Sequence, residues 1–285
     1  MRHLIYFCIA ILMLASCEKE QQPGPETPQD AKKDTVIKNL SYGSDPAQKM
    51  DLYLPAARTD TTRVIILIHG GGWNTGDKGE LSFFAEGWKK RGFAVANINY
   101  RLSPKTDDNY KMQLDDIGSS IQFLLNNANS YAYSKISFYM TGHSAGGHLS
   151  LAYSYTRNES RLIKAVAGMA APTDLFRLAY YDPNVYAPLL TPYLGVALTS
   201  ASEARYKNAS PYYQVNESSV PTILFHGDLD FIVNKDHSTF LDAKLDKVGV
   251  DHRLKIYPAQ FHDWWTNGDF VKNTLDETAA WFRKF

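Results

Sequence analysis

Short apolar runs alternate with longer segments of helical periodicity through most of this chain. "KMDLYL", "RVIILIH", "AVANINY", "KISFYM", "AVAGMA", "TILFHG" and "RLKIYP" are four to eight residues of apolar or alternating character, the length and pattern of strands. Between them, "LSFFAEGWKKRG", "MQLDDIGSSIQFLLNNA", "AGGHLSLAYSYTR" and "DHSTFLDAKLDKVG" read as helices. In the second of these, Ile117, Ile121, Leu124 and Leu125 recur at helical spacing and form one face to lay on a sheet. Strands alternating with helices predict an α/β fold with a mostly parallel sheet covered on both sides. The stretch 172–215 breaks the alternation. Pro183, Pro188, Pro192 and Pro211 interrupt it, so it is expected to be a small irregular cap inserted over the sheet edge.

The first segment follows a different pattern. "MRHLIYFCIAILMLASCEKE" has Arg2 and then an apolar run from Leu4 to Ala15. That run falls short of the roughly 20 apolar residues a spanning helix needs. A charged start, a short apolar centre and small residues at its end read as an export signal over 1–16. "LASC" is similar to the lipobox of bacterial lipoproteins, which implies that Cys17 is acylated and holds the protein on a membrane. The following "EKEQQPGPETPQDAKKD" is polar, contains proline and lacks large apolar residues, so 17–35 reads as a tether. A single folded domain is expected over 36–285. It shows no internal repeat.

Bulk composition narrows the function class. Hydrophobic content of 44% and charged content of 21% are ordinary for a globular chain with a sizeable core. Thirty basic and thirty acidic residues cancel, so no basic footprint points to nucleic acid. The two cysteines, Cys8 and Cys17, both lie in the leading segment, which leaves the domain without an internal disulfide or cysteine metal site.

Three stretches carry the chemistry. Gly142-His143-Ser144-Ala145-Gly146 fits G-x-S-x-G between a strand and a helix, where glycines permit a sharp turn that projects the serine hydroxyl toward a helix N-terminus. His69-Gly70-Gly71-Gly72-Trp73 follows an apolar strand, and its three glycines let backbone N–H groups approach a reacting oxygen. Gly71, Gly72 and Ala145 are the expected donors for an oxyanion, each worth roughly 3 kcal/mol in such sites. A phosphate-binding loop is the competing reading, but no Lys-Ser/Thr pair or G-x-G-x-x-G accompanies the run. In "PTILFHGDLDFIVN" the strand ends in two acids, and Asp230 is the candidate to orient an imidazole. Asp228 is expected to bond the turn's backbone instead.

Only His262, in "PAQFHDWW", lies both after that acid and past the end of a strand, so it is the expected base. His252 begins its strand and sits at the wrong end. His237 reads as an exposed helical residue. His69, His143, His148 and His226 read as scaffold or pocket wall. Asp115, Asp116 and Asp174 read as turn and helix contacts rather than a metal pair. Trp73, Tyr100, Trp264 and Trp265 are candidate walls of a substrate pocket.

These motifs resemble the α/β-hydrolase superfamily, specifically its HGGGW-bearing esterases. The likeness extends over "SYGSDPAQKMDLYLP", "GFAVANINYRLSP", "GHSAGGHLS" and "NASPYY", nearly the whole domain. It implies an α/β-hydrolase fold and a serine esterase that needs no metal or organic cofactor. Ser144 would be the nucleophile, His262 the base and Asp230 the orienting acid. Within that superfamily the motifs look like those of carbohydrate acetyl and feruloyl esterases, which implies a small ester or an acylated carbohydrate as substrate. Arylformamidase-like and peptidase-like enzymes are the alternatives within the superfamily, and a catalytically silent surface binder is the alternative outside catalysis. Asn234 departs from the proline many relatives carry there.

Overall fold

The computed structural model describes residues 33–285. The expected export signal, Cys17 and most of the tether therefore lie outside the described residues. Eight strands form one sheet: β1 (Thr35–Ser41), β2 (Lys49–Leu54), β3 (Val64–Ile68), β4 (Ala94–Ile98), β5 (Phe138–His143), β6 (Ile163–Met169), β7 (Thr222–Gly227) and β8 (His252–Tyr257). Their order across the sheet is β1-β2-β4-β3-β5-β6-β7-β8. The β1–β2 and β2–β4 pairs are antiparallel and every other pair is parallel.

The central strands are apolar throughout because both of their faces are covered. Val64, Ile66 and Ile68 of β3 point into one core cluster, while Ile65 and Leu67 point into another. α1 (Ser82–Lys89) and α9 (Gly268–Lys284) cover the second face with Phe84, Trp88, Leu275 and Phe282. The first face is covered by α2 (Asn109–Tyr131), α3 (Ala145–Thr156) and α8 (Asp236–Lys247). Ile117, Ile121 and Leu124 of α2 are buried there, the face their spacing predicts, whereas Leu125 packs against the cluster only partly buried. This is the α/β-hydrolase fold. Among the described residues, no helix is long and apolar enough to cross a membrane.

The stretch between β6 and β7 differs from the irregular cap expected of it. It contains four helices, α4 (Leu175–Tyr181), α5 (Pro183–Leu194), α6 (Glu203–Asn208) and α7 (Pro211–Gln214). Its prolines explain the difference. Pro183 and Pro211 stand at helix starts, where the missing N–H is no loss, and only Pro188 and Pro192 fall inside a helix.

Parallel register sets the site. Ile68 pairs with Gly142, so the ends of β3 and β5 release their loops side by side. Gly227 of β7 pairs with Tyr257 of β8, which brings the acid loop and the histidine loop to the same edge. All four loops open at the carboxyl ends of the strands, where ligands bind in open α/β sheets.

Candidate active site

Ser144 sits between β5 and α3 with φ 52° and ψ −120°, a left-handed backbone that an L side chain adopts at a cost of about 1–3 kcal/mol. Its neighbours hold it there. Ser144 N–H donates to Met169 O at 2.8 Å, and its carbonyl accepts from His148 N at 2.9 Å. A Cβ on Gly146 would stand 2.1 Å from Ile68 O, and one on Gly142 would stand 2.4 Å from the Gly146 carbonyl carbon. The two glycines are therefore what allows strand, turn and helix to close on β3.

The loop after β3 is built by turning its carbonyls inward. Gly71 and Gly72 have φ of 96° and 56°, and Trp73 follows at 64°. Gly70 O accepts from His69 Nδ1 at 2.8 Å and from the Tyr100 hydroxyl at 3.3 Å. Gly71 O accepts from Asn74 N, Thr75 N and the Thr75 hydroxyl. In a trans peptide the N–H points opposite to the preceding C=O. The N–H groups of Gly71 and Gly72 consequently face away from those anchors, and among the described residues no hydrogen bond takes either of them. The Ala145 N–H adds a third free donor at the first position of α3.

The acid and histidine loops meet at this edge. His262 Nδ1 lies 2.7 Å from Asp230 Oδ2, and both side chains are buried. Asp230 Oδ1 accepts from the N–H groups of Ile232 and Val233 at 2.9 and 2.8 Å. Burial alone would raise this carboxyl's pKa. The N–H groups of His226, His262 and Val233 outweigh it and hold Asp230 well below the usual carboxylate range. With Nδ1 committed to a carboxylate, His262 keeps a lone pair on Nε2 for a proton.

Ser144, His262, Gly71 and Gly72 share the lining of one cavity of about 530 Å³, together with Gly70, Glu80, Leu81, His143, Ile232, Asp263 and Trp265. A cavity of about 740 Å³ opens at the amino ends of β6 and β7 and contains none of the motif residues.

Four residues were expected to wall the pocket, and Trp265 is the one that does. Trp73, Tyr100 and Trp264 are buried behind it. Their polar atoms explain why. Trp73 Nε1 donates to His148 Nδ1 at 3.2 Å, and the Trp73 ring stacks on Tyr193 of α5. The Tyr100 ring stacks on His69, and Trp264 Nε1 donates to Thr274 at 3.1 Å. Each is an aromatic support whose single polar group needs an internal partner.

The remaining histidines divide. His143 lines the cavity, its ring 4.6 Å from that of His262 and 4.4 Å from that of Trp265. Burial, then the charge on His262, pushes its pKa well below the ordinary value, so it stays neutral and donates Nε2–H to His262 O at 3.1 Å. His148 accepts from Trp73 on Nδ1 and donates from Nε2 to Ala209 O, and burial lowers it to about 4. His69 is lowered to about 4 by burial as well. His237 is not exposed as expected. The first turn of α8 packs it under the loop before α4, where Nδ1 accepts from Thr173 N and Asp174 N. His252 remains at the far end of β8.

The acids set aside as structural behave so, with one exception. Asp116 takes the Arg101 guanidinium and Gln48, Asp115 takes Arg157, and Asp174 caps α4. Among the described residues, Asp228 does not bond the turn's backbone with its side chain: Oδ1 is buried with no partner there, and its N–H donates to Tyr257 O. Asp263, Glu80 and Ile232 joined the cavity without a sequence signal, apart from Asp263 adjoining His262. His143, His262 and Asp263 bring possible ligand atoms within 4.8 Å of one another. Both imidazoles already commit one nitrogen to an oxygen.

Comparison with known proteins agrees with this architecture. An isoprenylcysteine alpha-carbonyl methylesterase of Arabidopsis thaliana is 26% identical over 249 residues, covering 80% of this chain and 56% of its own. A kynurenine formamidase of Danio rerio is 30% identical over 115 residues, covering 40% of this chain and 37% of its own. The chain thus spans about half the length of the curated relatives it matches. Among solved structures, a truncated carbohydrate esterase from gut microbiota superposes with a TM-score of 0.75 at 21% identity, covering 91% of this chain and 100% of that one. The BD-FAE family matches residues 50–245, more than half the chain, and this protein belongs to it.

Proposed function

We propose that this protein is a serine carboxylic-ester hydrolase working through an acyl-enzyme. One observation carries the reading: the His262–Asp230 pair opens onto the cavity that also contains Ser144 on its strained turn. His262 Nε2 takes the hydroxyl proton as Ser144 Oγ attacks the ester carbonyl, and Asp230 holds the tautomer and steadies the imidazolium. Gly71, Gly72 and Ala145 N–H groups receive the oxyanion. His262 then protonates the leaving alcohol, and water, activated in the same way, releases the acid.

The substrate proposed is an acetyl or feruloyl ester on carbohydrate. What supports it is Trp265 on the cavity wall as a flat apolar face, with Glu80 and Asp263 as acceptors for hydroxyls. The name of the carbohydrate-esterase neighbour supports it also. A formamide substrate is the second reading, favoured by the kynurenine formamidase similarity. Acylation of Cys17 after export completes the proposal and would put the domain on a membrane surface.

Ser144→Ala tests the mechanism. Hydrolysis of p-nitrophenyl acetate should fall by about 10⁶-fold, toward the residual rate such sites keep without their nucleophile. Unchanged turnover would end the proposal. A panel of acetylated xylan, methyl ferulate and N-formylkynurenine separates the two substrate readings.

A further inference from the structure

His226 is the penultimate residue of β7, four residues before Asp230, and its ring is fully buried. Its Nε2 lies 2.8 Å from Val233 O and 3.1 Å from Asp230 Oδ2, while its Nδ1 lies 2.7 Å from the Ser238 hydroxyl. A carbonyl and an ionised carboxylate only accept, so Nε2 carries the proton. Ser238 Oγ has no other partner among the described residues, so its O–H is free to donate to Nδ1. Backbone and hydroxyl together thus fix one tautomer. Asp230 Oδ2 then faces two imidazole N–H groups, that of His262 from the cavity side at 2.7 Å and, from within the protein at 3.1 Å, the His226 Nε2–H that Val233 O also takes.

We propose that His226 is a positioning residue of the hydrolytic site, with Ser238 as the lock on its tautomer: it holds Asp230 Oδ2 in line with His262 Nδ1. The proposal rests on the serine-hydrolase reading. The two backbone N–H groups fix Oδ1 but leave the carboxylate free to rotate about them. The His226 N–H, shared between Val233 O and Oδ2 on the buried side, opposes that rotation. It also shares the charge that stabilises the His262 imidazolium, so removing it strengthens the remaining Asp230–His262 bond whenever the two still meet.

Other groups face this pair from each packed element. His143 comes from β5, Asp263 from the loop after β8, His237 from α8 and Tyr186 from α5. Burial keeps His143 and His237 neutral and pushes Tyr186 upward, and Asp263 is unchanged in the variants below. A shift in the acid limb of activity between those variants therefore reports on His226.

The test compares His226→Leu, which removes the donor, with His226→Gln, which restores one near Nε2, and with Ser238→Ala, which removes the lock. Steady-state hydrolysis of p-nitrophenyl acetate is measured from pH 5 to 9 beside thermal unfolding of each full-length variant. His226→Leu should lower kcat by about 10- to 100-fold with KM changed less than about twofold, the signature of a misplaced group. The acid limb of kcat/KM should move to higher pH. His226→Gln should recover most of the kcat and the wild-type limb, and Ser238→Ala should lower kcat by a smaller factor in the same direction. Variants that lose stability yet keep the wild-type kcat and limb overturn the proposal, leaving His226 a packing residue. If His226→Leu does not fold, Ser238→Ala decides: wild-type kcat and limb in that variant also overturn it. The parent reading fails separately, through an active Ser144→Ala.

Discussion

The two halves of the site are held by different physics. On the β3–β5 side, backbone geometry does the placing: Gly142, Gly146 and the Gly71–Gly72 pair set where Ser144 and the free N–H groups stand. On the β7–β8 side, side chains do it, since Asp230 meets His262 across 32 residues and leans on His226 from behind. A steric requirement tolerates no substitution at its few positions, whereas a hydrogen-bond chain degrades link by link. The same cavity should therefore fail in two distinguishable ways.

The largest effect is expected on the steric side. In Gly146→Ala the new methyl would stand 2.1 Å from Ile68 O and 2.4 Å from His69 O, both backbone atoms in or beside a central strand. Relief requires α3 to move off the sheet, at more than about 4 kcal/mol. Soluble yield and thermal unfolding should collapse together with activity. A folded, active Gly146→Ala protein would show that side chains, not sterics, hold this half.

Asp230→Asn comes next and should separate chemistry from stability. The amide keeps the shape but supplies an N–H where His262 Nδ1 needs an acceptor, so the imidazole turns to the wrong tautomer. Loss of kcat by about 10⁴-fold is the scale seen when a triad acid is replaced this way. Circular dichroism should remain native. If the variant unfolds instead, Asp230 is as structural as the glycines and the contrast disappears.

Acid stability sharpens the comparison further. His69 and His148 support the steric half with pKa values lowered by burial to about 4, and His237 beside the acid loop is lowered to about 3. A histidine depressed in the folded state contributes stability that is whole above its unfolded pKa and drains as pH falls toward its folded one. Each should cost about 1.4 kcal/mol per pH unit below the unfolded value of about 6.5. Asp230, also depressed, adds its loss only below its unfolded value near 4. Urea midpoints should thus decline from pH 6.5 to 4 before any carboxylate contributes through Asp230. A flat response in that window would mean these rings gain protons in place.

The contrast also explains what could be read from the sequence. Gly142 to Gly146 and His69 to Trp73 are local patterns, because the steric rule acts between near neighbours in sequence and adjacent strands. Asp230 and His262 could be chosen from chain order and strand ends, which parallel register converts into proximity. His226 could not be told from scaffold, since its role depends on where its Nε2 points after folding. The burial of His237 and the supporting role of Trp73, Tyr100 and Trp264 are illegible for a related reason. Periodicity does not reveal which way a single ring faces once loops and helices pack over it. Pro183 and Pro211 marked interruptions correctly but not that helices begin there.

The smallest effect tests the join between the halves. The Tyr100 hydroxyl donates to His69 O at 3.2 Å and to Gly70 O at 3.3 Å, helping to turn the Gly70 carbonyl inward and the Gly71 N–H outward. In Tyr100→Phe the ring can still stack on His69, and His69 Nδ1–H still reaches Gly70 O at 2.8 Å. One of two anchors is lost, so the loop loosens without collapsing. An oxyanion donor displaced but not removed should lower kcat by about three- to tenfold, well short of the 10²–10³ that deleting one costs. Because the ground-state carbonyl gains less from these N–H groups than the transition state does, KM should hardly change. A rise in KM at constant kcat would instead place Tyr100 in substrate binding.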